Sequence, residues 1–191
     1  MRTSSPGLPL PGAVWEAGGM DEVSVRALGG DDWQTYQRIR LAALQDAPDA
    51  FASSYEDERD YDEAFWRLRV GRSARLIATV RDEPVGIVSV GRAREHDVAE
   101  LFGMWVQPDW RGKGVAWALT QAAAQHAKDA GQRAVKLWVS TDNGRAVAFF
   151  SSAGFRPADE RRQMTNDADT EELAMLLPVG DDPGWVPSTE L

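Results

Sequence analysis

The chain has 191 residues, 43% of them hydrophobic and 27% charged, a composition typical of an ordinary folded protein with one domain. It contains no cysteine, which excludes a disulfide scaffold, a thiolate metal site and a cysteine nucleophile. The formal net charge of −9 has the wrong sign for broad binding to nucleic acid or to an anionic membrane surface. It favours small molecules or cationic groups as partners.

The two ends of the chain differ in composition from the middle. Residues 1–21 are rich in Pro, Gly and Ser and predict a disordered leader, while residues 180–191 predict a flexible tail. Residues 22–179 predict the folded domain. No stretch of the sequence approaches the ~18 consecutive apolar residues that a membrane span needs, so we expect a cytoplasmic protein.

Hydrophobic periodicity and turn signals divide the folded region into strands and helices. In chain order, the predicted strands are 23–28, 75–81, 85–92, 98–106, 134–139, 155–158 and 172–178. The predicted helices are 31–44, 60–70, 114–130 and 145–153, with a short turn or helical fragment at 50–55. The elements follow one another without an internal repeat or a linker, which predicts a single mixed α/β domain.

The most informative segment joins the fourth predicted strand to a long helix and spans residues 106–116. Gly112 and Gly114 permit a sharp turn that exposes successive backbone N–H groups, and the helix N-terminus adds partial positive charge. These features are typical of a pyrophosphate site, where Arg111 and Lys113 would supply further charge. The simpler interpretation is a strand-to-helix turn that needs glycine only for its shape.

This segment fits neither of the two common nucleotide-binding patterns. A Walker P-loop needs glycine where Gln107 stands and Ser or Thr where Gly114 stands. A Rossmann fingerprint needs a third glycine where Trp117 stands, and the strands before the turn form a hairpin. The identity of the turn therefore depends on its wider context.

Two motifs at the right separation resemble those of the GNAT superfamily of N-acetyltransferases. Arg111-x-x-Gly114-x-Ala116 resembles the family's acetyl-CoA signature, Arg/Gln-x-x-Gly-x-Gly/Ala. Residues 143–155, Asn-Gly-Arg-Ala-Val-Ala-Phe-Phe-Ser-Ser-Ala-Gly-Phe, resemble its later motif, Asn-x-x-Ala-x-x-Leu/Phe-Tyr-x-x-x-Gly-Phe. The resemblance covers roughly residues 23–179 and implies a single-domain GNAT fold. Such a fold has a mixed central sheet, flanked by helices, whose parallel fourth and fifth strands splay apart.

The resemblance implies acetyl-CoA as the acetyl-donor cosubstrate, held between the fourth and fifth strands. The backbone contacts implied for its pantetheine arm are those of Met104, Trp105 and Val106. The backbone N–H groups implied for its pyrophosphate are those of Arg111, Gly112, Lys113, Gly114, Val115 and Ala116. Asn143 and Phe150 complete the implied cofactor contacts, and Asn143 fits equally well as a helix N-cap.

The implied reaction transfers an acetyl group directly to a primary amine of a small molecule or peptide, through a tetrahedral intermediate. An alkylamine with a pKa of about 10.4 is neutral to only about one part in 10³ at pH 7, so a base is needed. Glu100 stands four residues before Met104, where the family's histone acetyltransferase branch carries its glutamate base. Its apolar neighbours Leu101 and Phe102 predict a raised pKa. The alternative is a glutamate at a strand end that faces solvent.

Two positions complicate this catalytic interpretation. Phe150 stands where the family frequently has a tyrosine general acid. Water can protonate a leaving thiolate whose parent thiol has a pKa of about 8.5, and Ser151 and Tyr55 are alternative proton donors. A bulge at Gly103 would interrupt the alternation of the fourth strand. Without such a bulge, alternation places four side chains on one face: Glu100, Phe102, Met104 and Val106.

The acceptor side of the site is indicated by an acidic segment between the first two long helices. The segment contains one basic residue, Arg59, and eight acidic residues. The acidic residues are Asp46, Asp49, Glu56, Asp57, Glu58, Asp60, Asp62 and Glu63. A negative surface of this kind attracts a cationic amine, and a solvated helix face is the alternative. Tyr55, Trp66 and Trp138 are candidate pocket walls, with core packing as the alternative for each.

Two functions from different classes fit these residues. The first is an acetyl-CoA-dependent N-acetyltransferase with Glu100 as its catalytic residue. The second is a non-catalytic acyl-CoA-binding regulatory module. Phe150 favours this alternative because phenylalanine cannot act as the general acid. A longer acyl donor is a narrower alternative, and the resemblance admits a homodimer. Neither histidine has the carboxylate spacing of a metal site.

Overall fold

The computed structural model describes residues 22–164 and 167–180. The leader that the sequence predicts, at residues 1–21, lies outside the described residues, as does the predicted tail from residue 181 onward. Within the described part, the chain forms one seven-stranded sheet with helices on both faces. None of the described helices is long and apolar enough to cross a membrane.

The strands and helices lie close to the positions that the sequence predicts. The strands are β1 (Val23–Ala27), β2 (Ala74–Val80), β3 (Glu83–Arg92), β4 (Val98–Val106), β5 (Ala134–Ser140), β6 (Arg156–Met164) and β7 (Asp167–Pro178). The helices are α1 (Trp33–Asp46), α2 (Tyr55–Glu58), α3 (Glu63–Gly71), α4 (Val115–Asp129) and α5 (Gly144–Ser152). Side chains cap the N-termini of α2 and α3. Ser54 accepts a hydrogen bond from the Asp57 N–H, and Asp62 accepts one from the Phe65 N–H.

The sheet has the strand order β1-β2-β3-β4-β5-β7-β6, and neighbouring strands are antiparallel except for the β4–β5 pair. This parallel pair is short, since β4 meets β5 only over Val98, Ala99 and Glu100. From Leu101 onward the two strands diverge, which leaves one backbone edge of β4 without a neighbouring strand. The mixed α/β fold with splayed parallel fourth and fifth strands is therefore confirmed.

Two hydrophobic cores lie on opposite faces of the sheet. The first core packs α4 and α5 against one face, with Leu119 and Phe155 completely buried. The second core packs α1 and α3 against the other face, with Trp66 completely buried and Tyr36 almost so. A buried Leu or Phe side chain contributes about 1.5–3 kcal/mol relative to an exposed one, so both cores stabilise the packing of the helices on the sheet.

A bulge in β4 changes which side chains share a face. The register between β3 and β4 shifts between Ile87 and Ser89, and Gly103 adopts a φ of +61°, as a bulge there requires. Glu100 and Phe102 line a pocket on the second-core side. Beyond the bulge, Met104 and Val106 pack with the first core. The bulge foreseen at Gly103 is therefore present, and because the extra residue inverts the alternation after Phe102, the four side chains divide between the two faces.

The last hairpin is longer than the sequence predicts. The sequence predicts strands 155–158 and 172–178, whereas β6 and β7 together extend over Arg156–Met164 and Asp167–Pro178. The added residues are largely polar, so they lack the apolar alternation of a half-buried strand. Cross-strand ion pairs accompany the pairing there, with Arg161 on Glu171 at 2.5 Å and Arg162 on Glu172 at 2.7 Å.

Candidate active site

The turn before α4 presents a backbone arrangement suited to an anion. Gly112 and Gly114 have φ values of +75° and +85°, a region that disfavours any side chain with a Cβ. The first hydrogen bond of α4 runs from the Ala118 N–H to the Gly114 carbonyl. The N–H groups of Val115 and Ala116 consequently have no acceptor within the helix, and they lie at the positive end of its dipole. This arrangement fits a pyrophosphate.

A carboxylate at the end of α1 ties this turn to the sheet. Asp46 Oδ2 accepts a hydrogen bond of 2.8 Å from the Trp105 indole and also pairs with the Arg111 guanidinium. The Trp105 hydrogen bond, together with Arg111, lowers the pKa of Asp46 against a smaller opposing effect of burial. Arg111 Nε also donates to the Val106 carbonyl at 3.0 Å. Arg111 therefore braces the turn, which its sequence motif alone does not indicate.

The gap between β4 and β5 opens into a cleft of about 840 Å³, here called the β4–β5 cleft. Its walls include residues from both strands, from α5 and from the N-cap of α5: Leu101, Phe102, Gly103, Met104, Leu137, Trp138, Val139, Asn143, Ala146 and Phe150. Asn143 Oδ1 accepts a hydrogen bond of 3.0 Å from the Ala146 N–H, which confirms its N-cap role. Phe150 is 8% exposed and packs edge-on against Phe149 and Phe155. An unpaired strand edge and apolar walls fit the extended arm of acetyl-CoA.

A second cavity, of about 350 Å³, adjoins this cleft on the side of α1 and α3. We call it the arginine pocket because its charged lining is mostly guanidinium: Arg40, Arg69, Arg75 and Arg162, with the carboxylates Glu100 and Glu172. The cleft and the pocket share eight residues: Ala50, Phe51, Leu101, Phe102, Gly103, Trp138, Met164 and Glu172. The two cavities therefore meet at the bulge in β4.

Glu100 lies half-buried at the edge of the arginine pocket. It also borders a third cavity of about 390 Å³ that contains Lys136 and Glu160. Burial raises the pKa of Glu100, while the positive charges of Arg162 and Lys136 oppose this effect without cancelling it. The raised pKa predicted from its apolar neighbours is confirmed. A raised pKa makes this carboxylate a stronger base than an exposed glutamate, which suits it to proton transfer.

Trp138 stands beside Glu100 and lines all three cavities. The Arg162 guanidinium lies 4.2 Å from the centre of a Trp138 ring, and Lys136 Nζ lies 4.9 Å from it. Arg162 in turn donates a hydrogen bond of 2.7 Å to Glu172. These cation–π contacts and ion pairs hold the indole in place at the junction of the cavities.

The other two aromatic candidates lie away from these cavities. Trp66 has no exposed surface, and its indole donates a hydrogen bond of 3.1 Å to the Tyr61 carbonyl. A completely buried ring cannot touch an acceptor, so the expectation that Trp66 is a pocket wall is wrong. Tyr55, the first residue of α2, packs against the second core and lines none of the three cavities.

The acidic segment largely serves the fold. Asp57 and Asp62 take part in helix caps, and Glu56 and Glu63 form ion pairs with Arg59 and Arg67. Asp49 borders the β4–β5 cleft. The most deeply buried member is Glu58, which has no exposed surface. The segment is therefore closer to a solvated, internally paired surface than to a negative rim.

Glu58 belongs to a buried charge cluster with Arg40 and Arg69, two residues that line the arginine pocket, and no local sequence pattern indicates this cluster. It accepts hydrogen bonds of 3.1 and 2.8 Å from Arg40 and one of 2.8 Å from Arg69. Burial raises the pKa of Glu58, but the hydrogen bonds and charges of Arg40 and Arg69 outweigh it, and the net pKa is lowered. Pairs 18 and 11 residues apart leave no trace in a local pattern, so only the three-dimensional arrangement shows them.

Comparison with known proteins identifies the family. The sequence model of the acetyltransferase (GNAT) family matches residues 40–155, which is more than half of the chain. The match includes β4, the turn before α4, and the segment from β5 to Phe155. The chain belongs to the acetyltransferase (GNAT) family.

Curated relatives agree with this assignment. An uncharacterized N-acetyltransferase from Methanocaldococcus jannaschii is 33% identical over 95 residues, covering 47% of this chain and 42% of the relative. The mycothiol acetyltransferase of Nocardiopsis dassonvillei is 28% identical over 166 residues, covering 76% of this chain and 49% of the relative. The matched segment thus spans less than half the length of each of these two relatives.

Solved structures share the fold at low sequence identity. A GNAT acetyltransferase from Streptococcus pneumoniae superposes with a TM-score of 0.69 at 17% identity, covering 83% of this chain and 100% of that chain. The ribosomal-protein-alanine N-acetyltransferase from Brucella melitensis gives 0.62 at 19% identity, covering 81% and 98%. A Salmonella typhimurium protein solved with its cofactor acetyl-CoA gives 0.63 at 17% identity, covering 85% and 96%.

Proposed function

We propose that the protein is an acetyl-CoA-dependent N-acetyltransferase that acetylates a primary amine of a small molecule or peptide. The observation that carries the proposal is the position of Glu100. Its carboxylate, whose pKa is raised by burial, stands at the edge of the arginine pocket, next to the residues that this pocket shares with the β4–β5 cleft. The family membership and the relatives named as acetyltransferases support the same reaction.

The chain's own residues divide the work between the two cavities. The N–H groups of Val115 and Ala116 would hold the pyrophosphate of acetyl-CoA, and the β4 edge around Met104 would hold its pantetheine arm. When bound, acetyl-CoA supplies an acetyl group on a thioester, with the CoA thiol as leaving group. The acceptor amine approaches from the arginine pocket.

Glu100 removes the proton that blocks the acceptor. At pH 7 an alkylammonium is almost entirely protonated, and the ionised Glu100 carboxylate accepts its proton and leaves a neutral nitrogen. Trp138, clamped by Arg162 and Lys136, forms the wall beside this position. Phe150 serves as an apolar wall of the cleft and donates no proton, so water protonates the departing thiolate.

Calorimetric titration with acetyl-CoA, free CoA and propionyl-CoA tests the cofactor site. We expect micromolar binding that weakens when the turn before α4 is altered, followed by amine-dependent release of free thiol. Absence of binding would overturn the proposal. Binding of acetyl-CoA without thiol release in the presence of any amine would favour the second candidate, a non-catalytic acyl-CoA-binding module. The phenylalanine at position 150 supports this candidate, because it cannot donate a proton.

A further inference from the structure

A buried arginine in the wall of the arginine pocket has fewer partners than its position requires. Arg75 lies near the start of β2, opposite Ser89 of β3, and is 7% exposed. Its Nη1 donates to the Ser89 hydroxyl and its Nη2 donates to the Arg69 carbonyl at 3.3 Å. Its Nε is buried and has no hydrogen-bond partner within the described part of the chain. An unmet donor on a buried cation costs free energy unless a ligand completes it.

The surroundings of Arg75 leave positive charge uncompensated. Arg75 forms no ion pair with any carboxylate among the described residues, and Glu58 is already shared between Arg40 and Arg69. Arg40 and Arg69 hydrogen-bond Glu58, whereas the hydrogen bonds of Arg75 go to the Ser89 hydroxyl and the Arg69 carbonyl. Burial lowers the pKa of Arg75, and Arg69 and Arg40 act in the same direction, while Tyr36 and Glu58 oppose this effect without cancelling it. An anion in the pocket would relieve this imbalance.

The remaining contacts of Arg75 hold its guanidinium in a set orientation. Its carbon Cζ lies 5.1 Å from the centre of the Tyr36 ring and 5.5 Å from that of Phe102. Arg75, Ser89 and Phe102 occupy one row across β2, β3 and β4. A planar guanidinium fixed in this way presents a fork that matches a carboxylate better than a point charge does.

Glu100 lies within reach of the same ligand. It precedes Phe102 by two residues on the same face of β4, and both Glu100 and Arg75 line the arginine pocket. Strand β3 lies between β2 and β4, so the backbones of β2 and β4 are about 10 Å apart. The side chains of Arg75 and Glu100 extend from these backbones into the same pocket, so their charged groups can be closer than the backbones. A small molecule with an ammonium at one end and a carboxylate at the other would bridge these two groups.

We propose that the acceptor is a small amino acid, whose carboxylate binds Arg75 and whose amine faces Glu100. This inference rests on the proposed acetyltransferase function and specifies its substrate class. It assigns Arg75 as a specificity-determining residue that binds the acceptor and makes no contact with acetyl-CoA. The positive charge of the pocket then selects against diamines and polyamines, which carry no carboxylate.

Matched acceptors test the proposal on the wild-type protein. At saturating acetyl-CoA, thiol release is measured with the twenty standard L-amino acids, with their α-amides and with the corresponding decarboxylated amines. We expect at least one amino acid whose kcat/KM exceeds that of its amide by ~100-fold or more, since losing the carboxylate leaves a buried cation unpaired. Equal use of the amide, or use of simple amines with no amino acid accepted, would overturn the inference.

Variants then assign the preference to Arg75. Arg75→Met should reduce the preference for the carboxylate to below ~10-fold, while the Kd of acetyl-CoA stays unchanged. Arg75→Lys retains the charge without the fork and should give an intermediate preference, with a fold less disturbed than that of the methionine variant. Arg72→Met removes an exposed positive charge three residues away and should leave the preference as in wild type. A wild-type preference in both Arg75 variants would contradict the assignment.

The two proposals fail in distinguishable ways. If calorimetry detects no acetyl-CoA binding, the acetyltransferase function fails and the acceptor assignment falls with it. If acetyl-CoA binds and amines are acetylated without regard to a carboxylate, only the acceptor assignment fails. Binding of acetyl-CoA with no acetylation of any compound in the panel also contradicts the amino acid assignment.

Discussion

The Trp105 indole donates a hydrogen bond of 2.8 Å to Asp46, 59 residues earlier in the chain. The same carboxylate pairs with Arg111 in the turn before α4. Asp46 is the last residue of α1, so this contact links a helix on one face of the sheet to the proposed pyrophosphate site. The geometry of the turn before α4 therefore depends on Asp46, a residue that lies outside both sequence motifs.

Asp46→Asn should weaken the cofactor site more than it weakens the fold. An amide can still accept from Trp105, but it loses the charge that holds Arg111. We expect the KM for acetyl-CoA to rise about five-fold, equivalent to about 1 kcal/mol, with kcat little changed. Asp109→Asn, an exposed change in the adjoining turn, is the matched control and should leave KM as in wild type. Equal KM values for both variants would remove the proposed link.

Glu100→Gln tests the proposed base. We expect kcat to fall about 10²–10³-fold, because the amine keeps its proton, while the Kd of acetyl-CoA is unchanged. In wild type, kcat should rise with pH through the raised pKa of Glu100, and the glutamine variant should lose this limb. Glu172→Gln, which removes the other carboxylate of the pocket, should retain the limb. A glutamine variant with the wild-type pH profile would exclude Glu100 as the base.

The stability of the same variant separates catalysis from folding. Because the folded pKa of Glu100 lies above its unfolded value of 4.5, the folded state holds the proton more tightly. The stabilisation associated with this proton is present below pH 4.5 and is lost as pH rises through the folded pKa. At pH 7 the glutamine variant should therefore unfold at the same urea concentration as wild type or at a higher one. A lower midpoint would indicate a structural role.

Glu58→Gln should destabilise the fold strongly at neutral pH. The change leaves Arg40 and Arg69 buried without their shared carboxylate, and breaking such a pair costs about 3–5 kcal/mol. The lowered pKa of Glu58 means that its contribution is present above the unfolded value of 4.5 and is lost as pH falls through the folded pKa. Denaturant unfolding at pH 7 and at pH 3 should therefore show a smaller difference between wild type and variant at the lower pH.

The control for this prediction is a glutamate from the same short helix. Glu56 pairs with Arg59 at the surface, and its side chain is 68% exposed. Exposed ion pairs contribute little, so Glu56→Gln should be close to neutral at both pH values. Equal destabilisation by the two variants would contradict the buried role of Glu58.

Local patterns predicted most of the fold because they report burial directly. The strand Val98–Val106 has the predicted bounds, and the helices end at or within two residues of Gly71, Gly131 and Gly154. The polar end of the last hairpin escaped prediction, since cross-strand ion pairs replace apolar alternation there. Gly103 was a foreseeable bulge, yet its effect on the facing of Met104 required the register between β3 and β4.

The site was predictable only where it follows a contiguous motif. The turn Gly112–Gly114 and the N-cap Asn143 lie within such motifs, and the structure gives them the expected backbone geometry. Arg75 appears in the sequence only as one polar residue in an apolar strand. Its meaning depends on Glu58 and on the aromatic rings that enclose it, which lie far away in the chain.

Gly114→Ala tests whether the turn needs its left-handed backbone. A Cβ at Gly114 would meet no atom within 4 Å, so the cost arises from the φ of +85° rather than from crowding. We expect a loss of about 1–2 kcal/mol in the free energy of unfolding, or a shifted turn that spares the fold and raises the KM for acetyl-CoA. Gly71→Ala, in open space at the end of α3 and without a positive φ, should be neutral or slightly stabilising. A Gly114→Ala protein with wild-type stability and KM would show that the turn tolerates another backbone conformation and that its glycine is dispensable for the cofactor.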